Sequence, residues 1–130
     1  LRHPGGRLVA IDRDSAQRTL AIGAIREAGL ADVVDYRLGT AERLLDRLDG
    51  RYDIVLLDET PEDREGHLIQ LFEGGHLAPR ALICSHASQA DAAALARAHA
   101  LLHVQPTVTA TMSIGAGDGL LVAVTAAATA

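Results

Sequence analysis

Acidic, small and polar residues stand at the ends of several predicted strands, where they could bind a ligand or take part in catalysis. Tyr52–Asp58 is an aliphatic run that ends on an acid, and its length and composition are typical of a strand buried on both faces. Ligands of open α/β sheets bind at the carboxyl ends of the strands. Asp58 is therefore a candidate for catalysis or binding, with a turn or helix-capping aspartate as the alternative.

Asp12 repeats this pattern earlier in the chain. It follows the short apolar strand Arg7–Ile11 and directly precedes a helix start. A carboxylate in this position can accept hydrogen bonds from both vicinal hydroxyls of a nucleoside ribose. The alternative is that Asp12 assists Asp14 in capping the helix.

Two further strand ends carry candidate residues. Gly39, Thr40 and Ala41 are small enough for a flat base to approach the backbone, although they also suit a tight turn with Thr40 as a helix cap. Ser85-His86 follows another buried strand, and His86 is a candidate proton acceptor or metal ligand. A histidine held by a structural hydrogen bond is the alternative.

The order of the predicted elements indicates the fold that positions these residues. Strands and helices alternate four times, and a hairpin follows. The fold class is α/β, a Rossmann-like doubly wound and mostly parallel sheet that ends in an antiparallel hairpin. Right-handed crossovers would place the carboxyl ends of the parallel strands on one edge. The predicted strands are Arg7–Ile11, Val33–Leu38, Tyr52–Asp58, Ala81–Cys84, Thr107–Met112 and Leu120–Val124. Three predicted helices are capped at Asp14, Thr40 and Thr60 and end near Gly29, Gly50 and Phe72, and a fourth runs from Ser88 to about His103.

Composition limits the class of protein. The 130 residues, 48% of them hydrophobic, predict one domain over residues 1–125 and a tail at Ala126–Ala130. A net charge of −5 without a basic cluster argues against nucleic acid as a partner, and no apolar run approaches a membrane span. The single cysteine, Cys84, forms no disulfide within the chain, so we expect a cytoplasmic protein.

Most of the chain resembles the class I S-adenosylmethionine-dependent O-methyltransferases of the catechol and caffeoyl-CoA type. The resemblance rests on Gly6–Asp12, Ala28–Val34, Arg37–Ala41, Tyr52–Asp58 and Ser113–Ala123, the last of which contains Gly-Asp-Gly-Leu-Leu. It implies S-adenosylmethionine as the cofactor, methyl transfer to an oxygen of a small molecule, and assembly as a homodimer.

The resemblance also implies roles for individual residues. Asp12 would bind the ribose, Gly39, Thr40 and Ala41 would lie beside the adenine, and Asp58 would face the methionine amine. Arg13 and Glu59 are included in the cofactor-binding set. Apart from the resemblance, the strand ends themselves predict Asp58 and His86 as the catalytic set, with His86 as the candidate base.

The chain differs from that family at two places. The first strand and its Gly-rich loop would precede Leu1, and without this central strand a gap would separate the strands that end at Asp12 and Asp58. Metal-dependent members carry an Asp-Asn pair where this chain has Ser85-His86. A hydroxyl and an imidazole suit Mg²⁺ poorly, so no metal site is predicted.

Three other functions are compatible with parts of the sequence. A response-regulator receiver domain would use Asp58 as phosphate acceptor, but such domains need a lysine, and this chain has none. The predicted terminal hairpin also differs from the helix that a receiver has there. A non-catalytic methyltransferase relative would bind the cofactor without turnover, and another dinucleotide-binding domain would also use Asp12.

Overall fold

A computed structural model describes residues 5–58, 60–86, 92–114 and 119–128 of the protein. The chain divides into two compact units, residues 1–47 and 48–130, and each has its own sheet. Strands alternate with helices as the sequence predicts, so the α/β class is confirmed. Within the described residues, no helix is both long enough and apolar enough to cross a lipid bilayer.

The first unit contains one pair of parallel strands. Its elements are β1 (Leu8–Asp12), α1 (Ser15–Glu27), β2 (Val34–Leu38) and α2 (Ala41–Leu45). The register pairs Asp12 with Leu38, so the two strands end at the same level. The carboxyl edge of this sheet therefore carries Asp12 and the residues that follow Leu38.

Helix α1 begins and ends where the sequence predicts. The Asp14 carboxylate accepts hydrogen bonds from the N–H groups of Ala16 (2.7 Å) and Gln17 (3.2 Å), which is N-terminal capping. Gly29 has φ +67°, and the N–H of Leu30 donates to the carbonyl of Ile25. This left-handed glycine and its 6→1 hydrogen bond form a Schellman end.

The second unit contains a four-stranded sheet in the order β3-β4-β6-β5. Its elements are β3 (Tyr52–Leu57), α3 (Pro61–Glu73), β4 (Leu77–His86), α4 (Ala92–His103), β5 (Val108–Ile114) and β6 (Leu120–Thr125). Strands β3 and β4 are parallel, whereas β6 is antiparallel to both of its neighbours. The predicted terminal hairpin is therefore confirmed, and β1 and β3 belong to different sheets.

Buried apolar side chains of this sheet and its helices form the core of the second unit. The most deeply buried are Leu68, Leu71, Ala81, Ile83, Ala98, Leu102, Leu121 and Ala123, none more than 2% exposed. They come from α3, α4 and one face of the sheet, so this core holds the carboxyl ends of β3 and β4 in place.

Strand β4 is longer than the predicted Ala81–Cys84. Arg80 has φ +61°, and the register between β3 and β4 shifts at the same level, so the strand passes through an irregularity instead of beginning after it. The Thr125 hydroxyl accepts from the N–H of Ala81 (2.7 Å) and donates to the carbonyl of Ala78 (2.9 Å). This side chain replaces main-chain partners that the irregularity removes.

Replacing Thr125 by valine should lower the free energy of unfolding by about 1–3 kcal/mol, because the buried N–H of Ala81 loses its partner while the shape of the side chain is kept. Thr109 is the matched control, since it is exposed and its hydroxyl donates to the Val124 carbonyl at 3.2 Å. Urea unfolding should show Thr109→Val close to wild type. Equal effects of the two substitutions would contradict the role of Thr125.

Other predicted boundaries are wrong. Helix α2 ends at Leu45 instead of near Gly50, and neither Thr40 nor Thr60 makes a side-chain capping bond. The Thr60 hydroxyl instead donates to the Asp63 carboxylate at 2.9 Å. The predicted start of the fourth helix at Ser88 lies outside the described residues. At the other end of the chain, Ala126 makes backbone hydrogen bonds with Arg80 and Thr107, although the sequence predicts that the tail begins there.

Candidate functional site

In the first unit, the carboxylate of Asp12 is held in one orientation at the end of β1. One oxygen, Oδ1, accepts from the N–H of Asp14 (2.9 Å), and the other, Oδ2, accepts from the hydroxyl of Tyr36 on β2 (3.1 Å). A carboxylate oxygen can accept more than one hydrogen bond. Asp12 can thus keep both donors and still accept from two ligand hydroxyls.

These hydrogen bonds lower the pKa of Asp12. The hydrogen bond from the N–H of Asp14 is the largest cause, and the bond from the Tyr36 hydroxyl lowers the pKa further. Burial raises the pKa, but the net shift is downward. Burial and the bond to Asp12 raise the pKa of Tyr36. Because the folded-state pKa of Asp12 lies below its unfolded value, its contribution to stability is complete above the ordinary Asp range and is lost as the pH falls through the folded pKa.

Removing the Tyr36 hydroxyl should raise the pKa of Asp12, because the ionised carboxylate loses one of its donors. The change is Tyr36→Phe, and the measurement is the carboxyl ¹³C titration of Asp12 by NMR. Tyr52 is the other tyrosine of the chain, and Tyr52→Phe is the matched control. A pKa of Asp12 that is the same in all three proteins would show that the bond to Tyr36 is not formed.

The predicted adenine-side residues lie next to Asp12. The N–H of Gly39 donates to the backbone carbonyl of Asp12 at 2.9 Å, and Thr40 and Ala41 follow as the start of α2. A Cβ at Gly39 would lie 3.0 Å from Cδ1 of Leu44, so glycine lets the backbone pass close to this side chain. The structure thus brings Asp12, Gly39, Thr40 and Ala41 together, with exposed Arg13 beside them.

In the second unit, Asp58 and His86 occupy equivalent places on neighbouring parallel strands. The register pairs Leu57, the last residue of β3, with Ser85, so Asp58 directly follows β3 at the level of His86, the last residue of β4, and both are exposed. The structure therefore brings these two predicted catalytic residues to one edge of the sheet. Glu59 lies outside the described residues.

Arg64 is a buried residue of this edge that the sequence analysis missed. Its side chain is 2% exposed, and Nη2 donates to the backbone carbonyl of His86 at 2.6 Å. The bond joins the first turns of α3 to the end of β4 and so fixes the backbone from which His86 projects. Only one feature of the sequence could have indicated this role: Arg64 comes shortly after a predicted strand end and a predicted helix start.

Two further observations concern side-chain clusters and grooves in the described parts of the chain. No three His, Cys, Asp or Glu side chains among the described residues are grouped so that they would hold a metal ion. A shallow apolar groove lies between the last turns of α3 and α4, lined by residues such as Phe72 and Leu101. It is at the far end of α3 from Asp58, so it is not part of the candidate site.

The fold is similar to several solved structures, O-methyltransferases among them. A protein from Corynebacterium glutamicum matches 98% of this chain with a TM-score of 0.82 and 20% identity. An O-methyltransferase from Bacillus cereus in complex with SAH matches 93% (TM-score 0.77, 19% identity). The O-methyltransferase TomG from Streptomyces achromogenes, involved in tomaymycin synthesis and in complex with SAM, matches 95% (TM-score 0.79, 23% identity).

This similarity confirms the fold that the resemblance implied. The chain spans 64%, 63% and 64% of the length of these three structures, respectively. No protein-family model matches the sequence, and no curated protein matches it significantly.

Proposed function

We propose that the protein is an S-adenosylmethionine-dependent methyltransferase that methylates an oxygen of a small molecule. The single observation that carries the proposal is the Asp12 carboxylate, oriented by Tyr36 and the Asp14 N–H beside Gly39. It stands at the carboxyl end of a parallel strand in a fold shared with proteins crystallised with SAM or SAH.

The residues of the first unit fit the nucleoside part of this cofactor. Asp12 has acceptor capacity for the two ribose hydroxyls, and its pKa is lowered, so the carboxylate is ionised at neutral pH. Gly39, Thr40 and Ala41 would lie beside the adenine, where glycine leaves the backbone accessible. Arg13 and Glu59 remain predicted members of the binding set.

In the second unit, Asp58 and His86 would act on the reacting end. The exposed Asp58 carboxylate would bind the methionine ammonium, and His86 would accept the proton of the acceptor hydroxyl. The bound cofactor supplies an electrophilic methyl group. The acceptor oxygen would take this methyl group, and the residues would contribute mainly by positioning the two reactants.

Three less specific features complete the proposal. The acceptor is a small molecule, the protein acts in the cytoplasm, and two copies form a homodimer.

The proposal is tested by transfer of tritium from [methyl-³H]S-adenosylmethionine to a panel of phenols and catechols, with the protein made from its complete reading frame. Labelled product that depends on protein and is inhibited by S-adenosylhomocysteine is expected. Cofactor binding without transfer to any acceptor would favour the non-catalytic relative. Acid-labile phosphate on Asp58 after treatment with a small phosphodonor would favour the receiver.

A further inference from the structure

Arg64 is a buried cation at the carboxyl edge of the sheet in the second unit. It is the fourth residue of α3 and is 2% exposed, and its Nε is buried without a hydrogen-bond partner among the described residues. Burying a charged group costs free energy, and so does leaving one of its donors without an acceptor. An apolar side chain would fill the same space without these costs, so packing alone does not explain this arginine.

The guanidinium of Arg64 holds the backbone at the end of β4. Its Nη2 donates to the backbone carbonyl of His86 at 2.6 Å. The same carbonyl accepts a longer hydrogen bond, of 3.4 Å, from the hydroxyl of buried Ser85. A hydrogen bond from a charged donor is stronger than one from a neutral donor. Arg64 is therefore the stronger of these two side-chain donors.

The parallel pairing of β3 with β4 ends just before this point. The last pair joins Leu57, the end of β3, to Ser85, so the pairing stops one residue before His86. On the other side of β4, His86 still pairs with Leu120 of β6. Arg64 thus adds a hydrogen bond where the β3 side of the sheet no longer supports the strand.

We propose that Arg64 is a positioning residue for methyl transfer, which acts by fixing the strand end that carries His86. The inference rests on the proposed function, because it needs His86 to act as the base. A base must lie within hydrogen-bond reach of the acceptor hydroxyl, and a displacement of about 1 Å can cost about 100-fold in rate. Arg64 therefore affects the rate of transfer and not the binding of the cofactor.

Replacing Arg64 by methionine separates positioning from packing, because methionine keeps a long apolar side chain but has no donor. In the protein made from its complete reading frame, kcat should fall about 10–100-fold, while the KM for S-adenosylmethionine changes less than about twofold. Unchanged kcat in Arg64→Met would overturn the proposal.

A conservative variant and a surface variant accompany this change. Arg64→Lys should keep kcat within about tenfold of wild type, because one ammonium N–H can replace the single bond from Nη2. Arg97→Met is the matched control, since the side chain of Arg97 is 56% exposed and pairs with Glu65 on the surface. Its kcat should stay within about twofold of wild type. If lysine restores no more activity than methionine, the proposal is overturned.

A double substitution shows whether Arg64 acts through His86. When one residue acts only by positioning another, removing both costs no more than removing the second alone. The protein with both Arg64→Met and His86→Gln should therefore have the kcat of His86→Gln. Effects that multiply would show an independent role for Arg64 and contradict the proposal.

The order of the strand end can be measured without cofactor or acceptor. The ¹⁵N order parameter of the His86 amide should be about 0.85 in wild type and in Arg97→Met, as in rigid backbone, and should fall toward about 0.6 in Arg64→Met. The same value in all three proteins would overturn this inference, whether or not the protein transfers methyl groups. Failure of the wild type to methylate any acceptor would instead reject the proposed function, so the two failures are distinguishable.

Discussion

Asp12→Ala should weaken the binding of S-adenosylmethionine at least about 100-fold, because a hydrogen bond to a charged group contributes about 1.5–3 kcal/mol and the substitution removes two of them from the ribose. The structure makes this effect large because the carboxylate is already oriented. Its two oxygens are held by the Asp14 N–H and the Tyr36 hydroxyl, so no side-chain ordering is needed when a ligand binds.

The matched control for this change lies in the same unit. Asp32 is exposed, and Asp32→Ala removes the same charge at a different place. Calorimetric titration of S-adenosylhomocysteine should give nearly wild-type affinity for Asp32→Ala and no measurable affinity for Asp12→Ala. Far-UV circular dichroism checks that both variants fold. Unchanged affinity of a folded Asp12→Ala variant would rule out the ribose role.

His86→Gln should lower kcat by about 10²–10⁴-fold, the usual contribution of a positioned general base, with little change in cofactor affinity. The reason is geometric. His86 is exposed at the end of β4, one residue beyond the Leu57–Ser85 pair, while its backbone is fixed by Arg64. The residue therefore sits on a rigid strand end and not on a loop.

A second histidine serves as the control for His86. His103 is exposed in the last turn of α4, and its ring stacks on that of His99. His103→Gln should leave kcat within about twofold, as surface substitutions usually have small effects. Equal kcat values for His86→Gln and wild type would exclude this residue as the base.

Sequence reasoning succeeded where the deciding contacts are local. The cap of α1 at Asp14 and its end at Gly29 depend on hydrogen bonds within a few residues, and both are as predicted. The cap at Thr60 failed because its hydroxyl bonds to Asp63 instead of a backbone N–H, a competition that spacing alone does not resolve.

Contacts between distant residues were not predictable in the same way. Tyr36 bonds to Asp12 across 24 positions of the chain, and Thr125 bonds to Ala78 and Ala81 across more than 40. The predicted strand begins at Ala81, whereas β4 also includes Pro79 and Arg80, and Thr125 bonds to the residues on either side of them. The pairing of the strands brings these partners together. The register of that pairing could not be predicted from the sequence.

The most direct test of the central claim is an equilibrium titration of S-adenosylmethionine against the protein made from its complete reading frame. We expect saturable binding at one site per chain, displaced by S-adenosylhomocysteine and lost in Asp12→Ala. Absence of saturable binding to the folded protein, or binding that Asp12→Ala leaves intact, would contradict it.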